Sequence, residues 1–167
     1  MESVQGLKLI EGERLGSAPL PKWRSAGGET KILFVCGQNA GRSQMAQAIF
    51  QKKITELHED RRIIGASAGL TPAPALNPVV KEALDEYGVD TKELFPKPIT
   101  SEAMDNASVV VVMGCDVTKN DKFVGKNVVA WEFEDAKGKD LEAMRDLRVD
   151  IERKVDGLIK QLVSHWD

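Results

Sequence analysis

The chain has 167 residues, of which 42% are hydrophobic and 29% are charged, with a formal net charge of −3 and a sequence pI near 5.5. This length suits one domain with a single core, and the acidic balance argues against nucleic acid or an anionic membrane as a partner. The two cysteines, and the lack of an apolar run that could span a bilayer, predict a protein of the reducing cytoplasm.

The first 29 residues differ from the rest of the chain. They mix glycine, proline and serine with little hydrophobic periodicity. We expect residues 1–29 to be an N-terminal extension, either a flexible arm or a docking segment. Residues 30–167 are expected to form the catalytic domain.

An apolar strand predicted at 31–35 leads into Cys36 and a short loop, and a helical pattern begins near Arg42. Gly37 and Gly41 allow backbone N–H groups to turn inward, and the helix adds the positive end of its dipole. The planar guanidinium of Arg42 suits two oxygens of one anion. The sequence therefore predicts a site for a tetrahedral oxyanion, formed by Gly37, Gln38, Asn39, Ala40, Gly41, Arg42 and Ser43.

The same donors predict that Cys36 is a nucleophile, because groups that stabilise a bound anion also stabilise a thiolate. Ser43 can donate its hydroxyl to the sulfur. The alternative is a buried structural cysteine at the end of a strand. A nucleotide-binding Walker loop does not fit, since three residues separate Gly37 from Gly41 and Arg42 stands in place of lysine.

Strands and helices alternate along the rest of the chain. Helices are predicted at 43–57, 78–87, 101–105 and 140–163, and further strands at 62–67, 109–113 and 127–131. This order predicts an α/β fold, a parallel sheet with helices on both faces that binds ligands at the carboxyl ends of its strands. Cys36 and Cys115 each follow a predicted strand, so both are expected at that edge.

The motif Cys-x5-Arg-Ser after the first strand resembles the low-molecular-weight protein tyrosine phosphatase family. The continuation 39–46 resembles its arsenate reductase branch, because Gln44 follows Arg-Ser where the phosphatases typically have proline. Further similarities occur at 67–69, 77–78, 97–98, 113–115 and 131–135. The resemblance extends over residues 31–164.

The resemblance also implies roles for two residues outside the loop. Asp135 corresponds to the general acid, although Ala136 replaces the proline that usually follows it. The alternatives are a solvated carboxylate at this position or a role for the neighbouring Glu134. Cys115 corresponds to a resolving cysteine that forms a disulfide with Cys36, although residues 116–124 lack the third cysteine of similar reductases. The alternative for Cys115 is a buried core thiol.

The resemblance implies reduction of arsenate to arsenite, with no bound cofactor and with a disulfide recycled by a thioredoxin-like or glutaredoxin-like protein or a small thiol. The first alternative is a phosphatase that forms a phosphocysteine. Phosphatases usually carry aromatic residues after the aspartate, whereas this chain has Lys137 and Gly138. The third hypothesis is a non-enzymatic module that binds an oxyanion or senses redox state. His58 and His165 are too isolated to predict a metal site.

Overall fold

A computed structural model describes residues 13–14 and 29–164 of the chain. Most of the predicted N-terminal extension, together with His165, lies outside the described residues. The strands are β1 (Glu13–Arg14), β2 (Thr30–Cys36), β3 (Ile63–Gly69), β4 (Val109–Met113) and β5 (Val128–Trp131). The helices are α1 (Arg42–Glu56), α2 (Pro78–Glu86), α3 (Ser101–Asn106) and α4 (Leu141–Ser164), with a short 3-10 turn at Asp121–Phe123.

The sheet has the strand order β1-β5-β4-β2-β3. Strands β2 to β5 are mutually parallel, as predicted, whereas β1 pairs antiparallel with β5. The β1 pairing comes from the predicted extension and places Glu13 opposite Ala130. In this order β2 and β4 are neighbours, so the segments that follow Cys36 and Met113 leave the same edge of the sheet.

Alternating side chains of the strands pack into two cores, one on each face of the sheet. The larger core contains Ile32, Phe34 and Met113 and is covered by α1, α2 and α4. The smaller core contains Leu33 and Val35 and is covered by α3 and the 3-10 turn. The predicted α/β architecture with helices on both faces is confirmed. Among residues 13–14 and 29–164, no helix is long and apolar enough to cross a membrane.

The predicted boundaries of the elements next to the site differ from the structure by one or two residues. Cys36 is the last residue of β2 rather than the first of the loop, and α1 begins at Arg42. Strand β3 continues to Gly69 because its backbone remains paired with β2 up to Cys36.

Candidate active site

A cavity of about 360 Å³ opens above Cys36 at the carboxyl edge of the sheet. Its floor is the loop between β2 and α1, one wall is the segment 73–78, and the other is the segment 135–137. The wall side chains at 73–76 are small or aliphatic: Ala73, Pro74, Ala75 and Leu76. The described residues that line the cavity include no aromatic side chain.

The carbonyl groups of the loop point away from its interior. Those of Cys36 and Gly37 accept hydrogen bonds from the backbone N–H groups of Leu70 (3.2 Å) and Thr71 (2.8 Å). Those of Gln38 and Ala40 accept from the N–H groups of residues 73 and 77, each at 3.0 Å. In a planar trans peptide the N–H points opposite to the C=O. The N–H groups of residues 37, 38, 39 and 41 therefore face the inside of the loop.

Hydrogen bonds within the loop converge on the sulfur of Cys36. Asn39 has a φ of 52°, a left-handed conformation that asparagine tolerates well. Its Nδ2 donates to Ser43 Oγ at 2.7 Å, and Ser43 Oγ is 2.9 Å from Cys36 Sγ. Because the Ser43 oxygen already accepts from Asn39, its own proton is available to donate to the sulfur.

Arg42 begins α1 and is 7% exposed. Its Nη1 donates to the carbonyl oxygens of Phe133 at 3.1 Å and Gly114 at 3.4 Å. Its buried Nε has no hydrogen-bond partner in the described part of the chain. The Nε and Nη2 edge is therefore the one available for two oxygens of an anion.

Two glycines allow neighbouring segments to approach the loop closely. Gly114 has a φ of +79°, and a Cβ atom there would overlap Arg42 Nη1. A Cβ atom at Gly41 would lie 2.7 Å from the Cβ of Ala136. Both positions therefore require a residue without a side chain.

Asp135 lies at the mouth of the cavity, with its Oδ2 3.8 Å from Arg42 Nη2. Its side chain is 65% exposed, and its Oδ1 accepts from the N–H of Lys137 at 3.1 Å. Ala136 is buried against Gly41, so the residue that replaces the family's proline fixes the position of this segment by packing. The alternative acid, Glu134, pairs instead with Lys139 at 2.7 Å.

Cys115 follows β4 and Gly114, on the strand next to the one that ends at Cys36. Its side chain is half-buried and its thiol is free. Burial, followed by the negative charge of Cys36, raises the pKa of Cys115 to about 11, while Arg42 acts in the opposite direction. The structure thus places Cys115 within electrostatic reach of both Cys36 and Arg42.

Three polar residues, Gln44, Ser67 and Lys97, lie behind the loop. Gln44 is fully buried, and its Nε2 donates to Asn39 Oδ1 at 3.1 Å and to the Phe95 carbonyl at 2.7 Å. Lys97 binds Asn39 through its backbone N–H at 2.8 Å. Ser67 donates to the side-chain oxygen of Gln47 at 2.6 Å. The only sequence signal for these contacts was the position of Gln44, Ser67 and Lys97 in the family-like motifs, which does not identify their partners.

Asn77 is the N-terminal cap of α2, where its Oδ1 accepts from the backbone N–H groups of Val79 and Val80. In the part of the chain described, no group of three or more His, Cys, Asp or Glu residues has an arrangement that could hold a metal ion.

A parallel α/β sheet that ends in a Cys-x5-Arg loop defines a class of enzymes that bind oxyanions over a cysteine. Residues 31–165 match the family model described as low molecular weight phosphotyrosine protein phosphatase. The chain belongs to this family.

Several relatives resemble the chain over most of its length. A protein of Halobacterium salinarum is 31% identical over 137 residues, which cover 82% of this chain and 96% of its own length. The glutaredoxin arsenate reductase of Synechocystis is 30% identical, over 79% of this chain and 98% of its own length. Among solved structures, the thioredoxin-dependent arsenate reductase of Corynebacterium glutamicum has 31% sequence identity to this chain. Its fold superposes on this one with a TM-score of 0.66. That match covers 83% of this chain but only 64% of the neighbour's length.

Proposed function

We propose that this protein reduces arsenate to arsenite with Cys36 as the nucleophile. The observation that carries the proposal is the second cysteine: Cys115 lies at the neighbouring strand end, within electrostatic reach of Cys36 and Arg42. A phosphatase needs one sulfur, whereas reduction by two electrons needs two thiols.

In the first step arsenate binds to the loop amides and to the Nε and Nη2 edge of Arg42, whose Nε has no partner among the described residues. The Cys36 thiolate forms a bond to arsenic, and one arsenic oxygen takes up protons and leaves as water. Asp135, at the mouth of the same cavity, is the proposed donor of one of these protons.

In the second step Cys115 loses its proton and its sulfur bonds to the sulfur of Cys36. The sulfur–arsenic bond breaks and its electron pair stays on arsenic, which departs as arsenite. Two thiols are thereby oxidised to one disulfide while arsenic(V) becomes arsenic(III).

The Cys36–Cys115 disulfide must then be reduced by an external thiol. The names of two relatives contain glutaredoxin and thioredoxin, which supports a reductant of this class as the partner. Such a cycle requires a reducing compartment, and we propose the cytoplasm.

The shape of the cavity supports a small oxyanion as the substrate. Its wall of small and aliphatic side chains offers no ring to stack on a phosphotyrosine. Hydrolysis of a small phosphoester through a phosphocysteine is the second candidate, favoured by the family model and by the position of Asp135.

A single-turnover experiment tests the proposal. Reduced protein is mixed with arsenate without external thiol, quenched with an alkylating agent and analysed by mass spectrometry. We expect one arsenite and one Cys36–Cys115 disulfide per chain, and neither product from Cys36→Ser. Cys115→Ser should stop at the arsenic adduct until a thiol is added.

Two outcomes would contradict the proposal. Rapid hydrolysis of p-nitrophenyl phosphate without arsenate-dependent loss of thiols would favour the phosphatase. Equal turnover by wild type and Cys36→Ser would exclude both enzymes and leave the anion-binding module.

A further inference from the structure

The segment that carries Asp135 continues into a tight turn formed by Ala136, Lys137, Gly138 and Lys139. The backbone N–H of Lys139 donates to the carbonyl oxygen of Ala136 at 3.1 Å and closes the turn. Gly138 has a φ of +82°, the left-handed conformation that the third residue of a type II turn requires. Glycine adopts this conformation without steric cost. The shape of the turn therefore depends on the glycine at 138.

This turn is connected to the candidate acid by a hydrogen bond. The backbone N–H of Lys137 donates to Oδ1 of Asp135 at 3.1 Å. The other carboxylate oxygen, Oδ2, lies 3.8 Å from Nη2 of Arg42. An ion pair between Lys139 Nζ and Glu134 Oε2, at 2.7 Å, joins the two ends of the segment around Asp135. The orientation of the carboxylate is thus coupled to closure of the turn.

The residue that follows Asp135 is Ala136, where the family usually has proline. A proline ring restricts its own φ, whereas alanine leaves that dihedral free. We propose that the turn 136–139, closed by Gly138 and Lys139, positions Asp135 for proton donation in place of that proline. The inference rests on the proposed function in taking Asp135 as the acid. Gly138 and Lys139 are positioning residues, because neither lines the cavity above the nucleophile.

A second turn of the same construction provides an internal control. The backbone N–H of Lys126 donates to the carbonyl oxygen of Phe123 at 3.2 Å, and Gly125 has a φ of +77°. Lys126 also pairs with Asp105 at 2.7 Å. This turn precedes β5, and none of its residues lines the cavity. A Cβ atom at Gly125 or Gly138 would meet no described atom within 4 Å, so alanine at either position adds backbone strain alone.

The test compares Gly138→Ala with Gly125→Ala. The rate of arsenite formation is measured in a single turnover at saturating arsenate, and phosphate affinity is measured by isothermal titration calorimetry. Both variants should lose similar stability in urea, because both place alanine at a positive φ. Only Gly138→Ala should turn over more slowly, by roughly fivefold, with phosphate affinity unchanged. Gly138→Asn should recover most of the rate, because asparagine tolerates the left-handed conformation.

A second pair of variants tests the ion pair. Lys139→Met removes the partner of Glu134, and Lys126→Met removes the partner of Asp105. The two lysines are matched in burial, since their side chains are 21% and 29% exposed. We expect Lys139→Met to slow the single turnover about twofold and Lys126→Met to match wild type.

A wild-type rate in folded Gly138→Ala would overturn the proposal. An equal loss of rate in Gly125→Ala would also overturn it, because it would indicate a general effect of stability. Weakened phosphate binding in Gly138→Ala would do the same, because it would indicate damage to the anion site.

Asp135→Asn separates this inference from the proposed function. If Asp135→Asn is slow while Gly138→Ala is not, the role of the turn fails and the role of the acid stands. If Asp135→Asn turns over like wild type, Asp135 is not the acid and the turn has nothing to position. Absence of arsenite from the wild-type protein would contradict the proposed function, and this inference with it.

Discussion

Gly41 packs closely against Ala136, and this packing joins the loop that carries the nucleophile to the segment that carries Asp135. An added Cβ at Gly41 would lie 2.7 Å from the Ala136 side chain. The position of Asp135 is expected to depend on this contact. The ion pair between Arg42 and Asp135, at 3.8 Å and with an exposed carboxylate, constrains that position only weakly.

We therefore expect Gly41→Ala to displace the segment 135–137. Activity in arsenate reduction should fall by about tenfold or more, since small misplacements of a catalytic group are costly. Steady-state kinetics measure the loss. The matched variant is Gly37→Ala, where an added Cβ meets no atom within 4 Å, and it should lose less. Equal losses in the two variants would contradict the role of the contact.

Gly114→Ala should affect both stability and anion binding. The residue has a φ of +79°, and its new methyl group would overlap Arg42 Nη1. We expect a loss of roughly 2 kcal/mol in the free energy of unfolding, from backbone strain and overpacking together. Urea denaturation with and without phosphate measures both effects. Wild-type stability in this variant would show that the segment adapts without strain.

Arg42→Lys should weaken anion binding although the charge is retained. A lysine cannot hold two oxygens of one anion while also donating to the carbonyls of Phe133 and Gly114. We expect the dissociation constant for phosphate or arsenate to rise about 10- to 100-fold. Isothermal titration calorimetry measures it, with Arg145→Lys on the distant α4 as the control. Unchanged affinity in Arg42→Lys would mean that charge alone accounts for binding.

The pKa of Cys115, raised to about 11, predicts how its reactivity depends on pH. Below that value the group is a neutral thiol, so at pH 7 only roughly one molecule in ten thousand carries the thiolate. Alkylation of Cys115 should be slow at neutral pH and should accelerate as the pH rises toward 11. In Cys36→Ser one of the causes of the raised pKa is removed, so Cys115 should react faster at each pH. Peptide mass spectrometry of the alkylated protein provides the rates, and fast labelling of wild-type Cys115 at pH 7 would contradict the prediction.

The fold class and the centre of the site could be predicted because their signals are local in sequence. Cys36, Arg42 and Ser43 lie on one strand, loop and helix start, where spacing determines geometry. Neighbouring parallel strands likewise bring Cys115 to the same sheet edge. The structure brings these residues together, while their roles remain predictions.

Contacts through irregular segments could not be predicted from the sequence. Lys97 reaches the loop because its carbonyl pairs with the N–H of Gly69 across a connection that has no periodic pattern. The packing of Ala136 on Gly41 depends on side-chain volume rather than on hydrophobic periodicity. The antiparallel pairing of β1 with β5 was also not predicted, because the segment around it has no strand-like alternation.

The outward carbonyls of the loop have a consequence for anion selectivity. Backbone N–H groups of the segment 70–77 donate hydrogen bonds to these carbonyls. The N–H groups on the other side of the same peptides are therefore oriented toward the anion site before any ligand binds. A rigid array of this kind distinguishes anions by shape as well as by charge. Planar ions such as nitrate should therefore compete poorly, whereas vanadate, which has the same tetrahedral outline as arsenate, should be an effective competitive inhibitor.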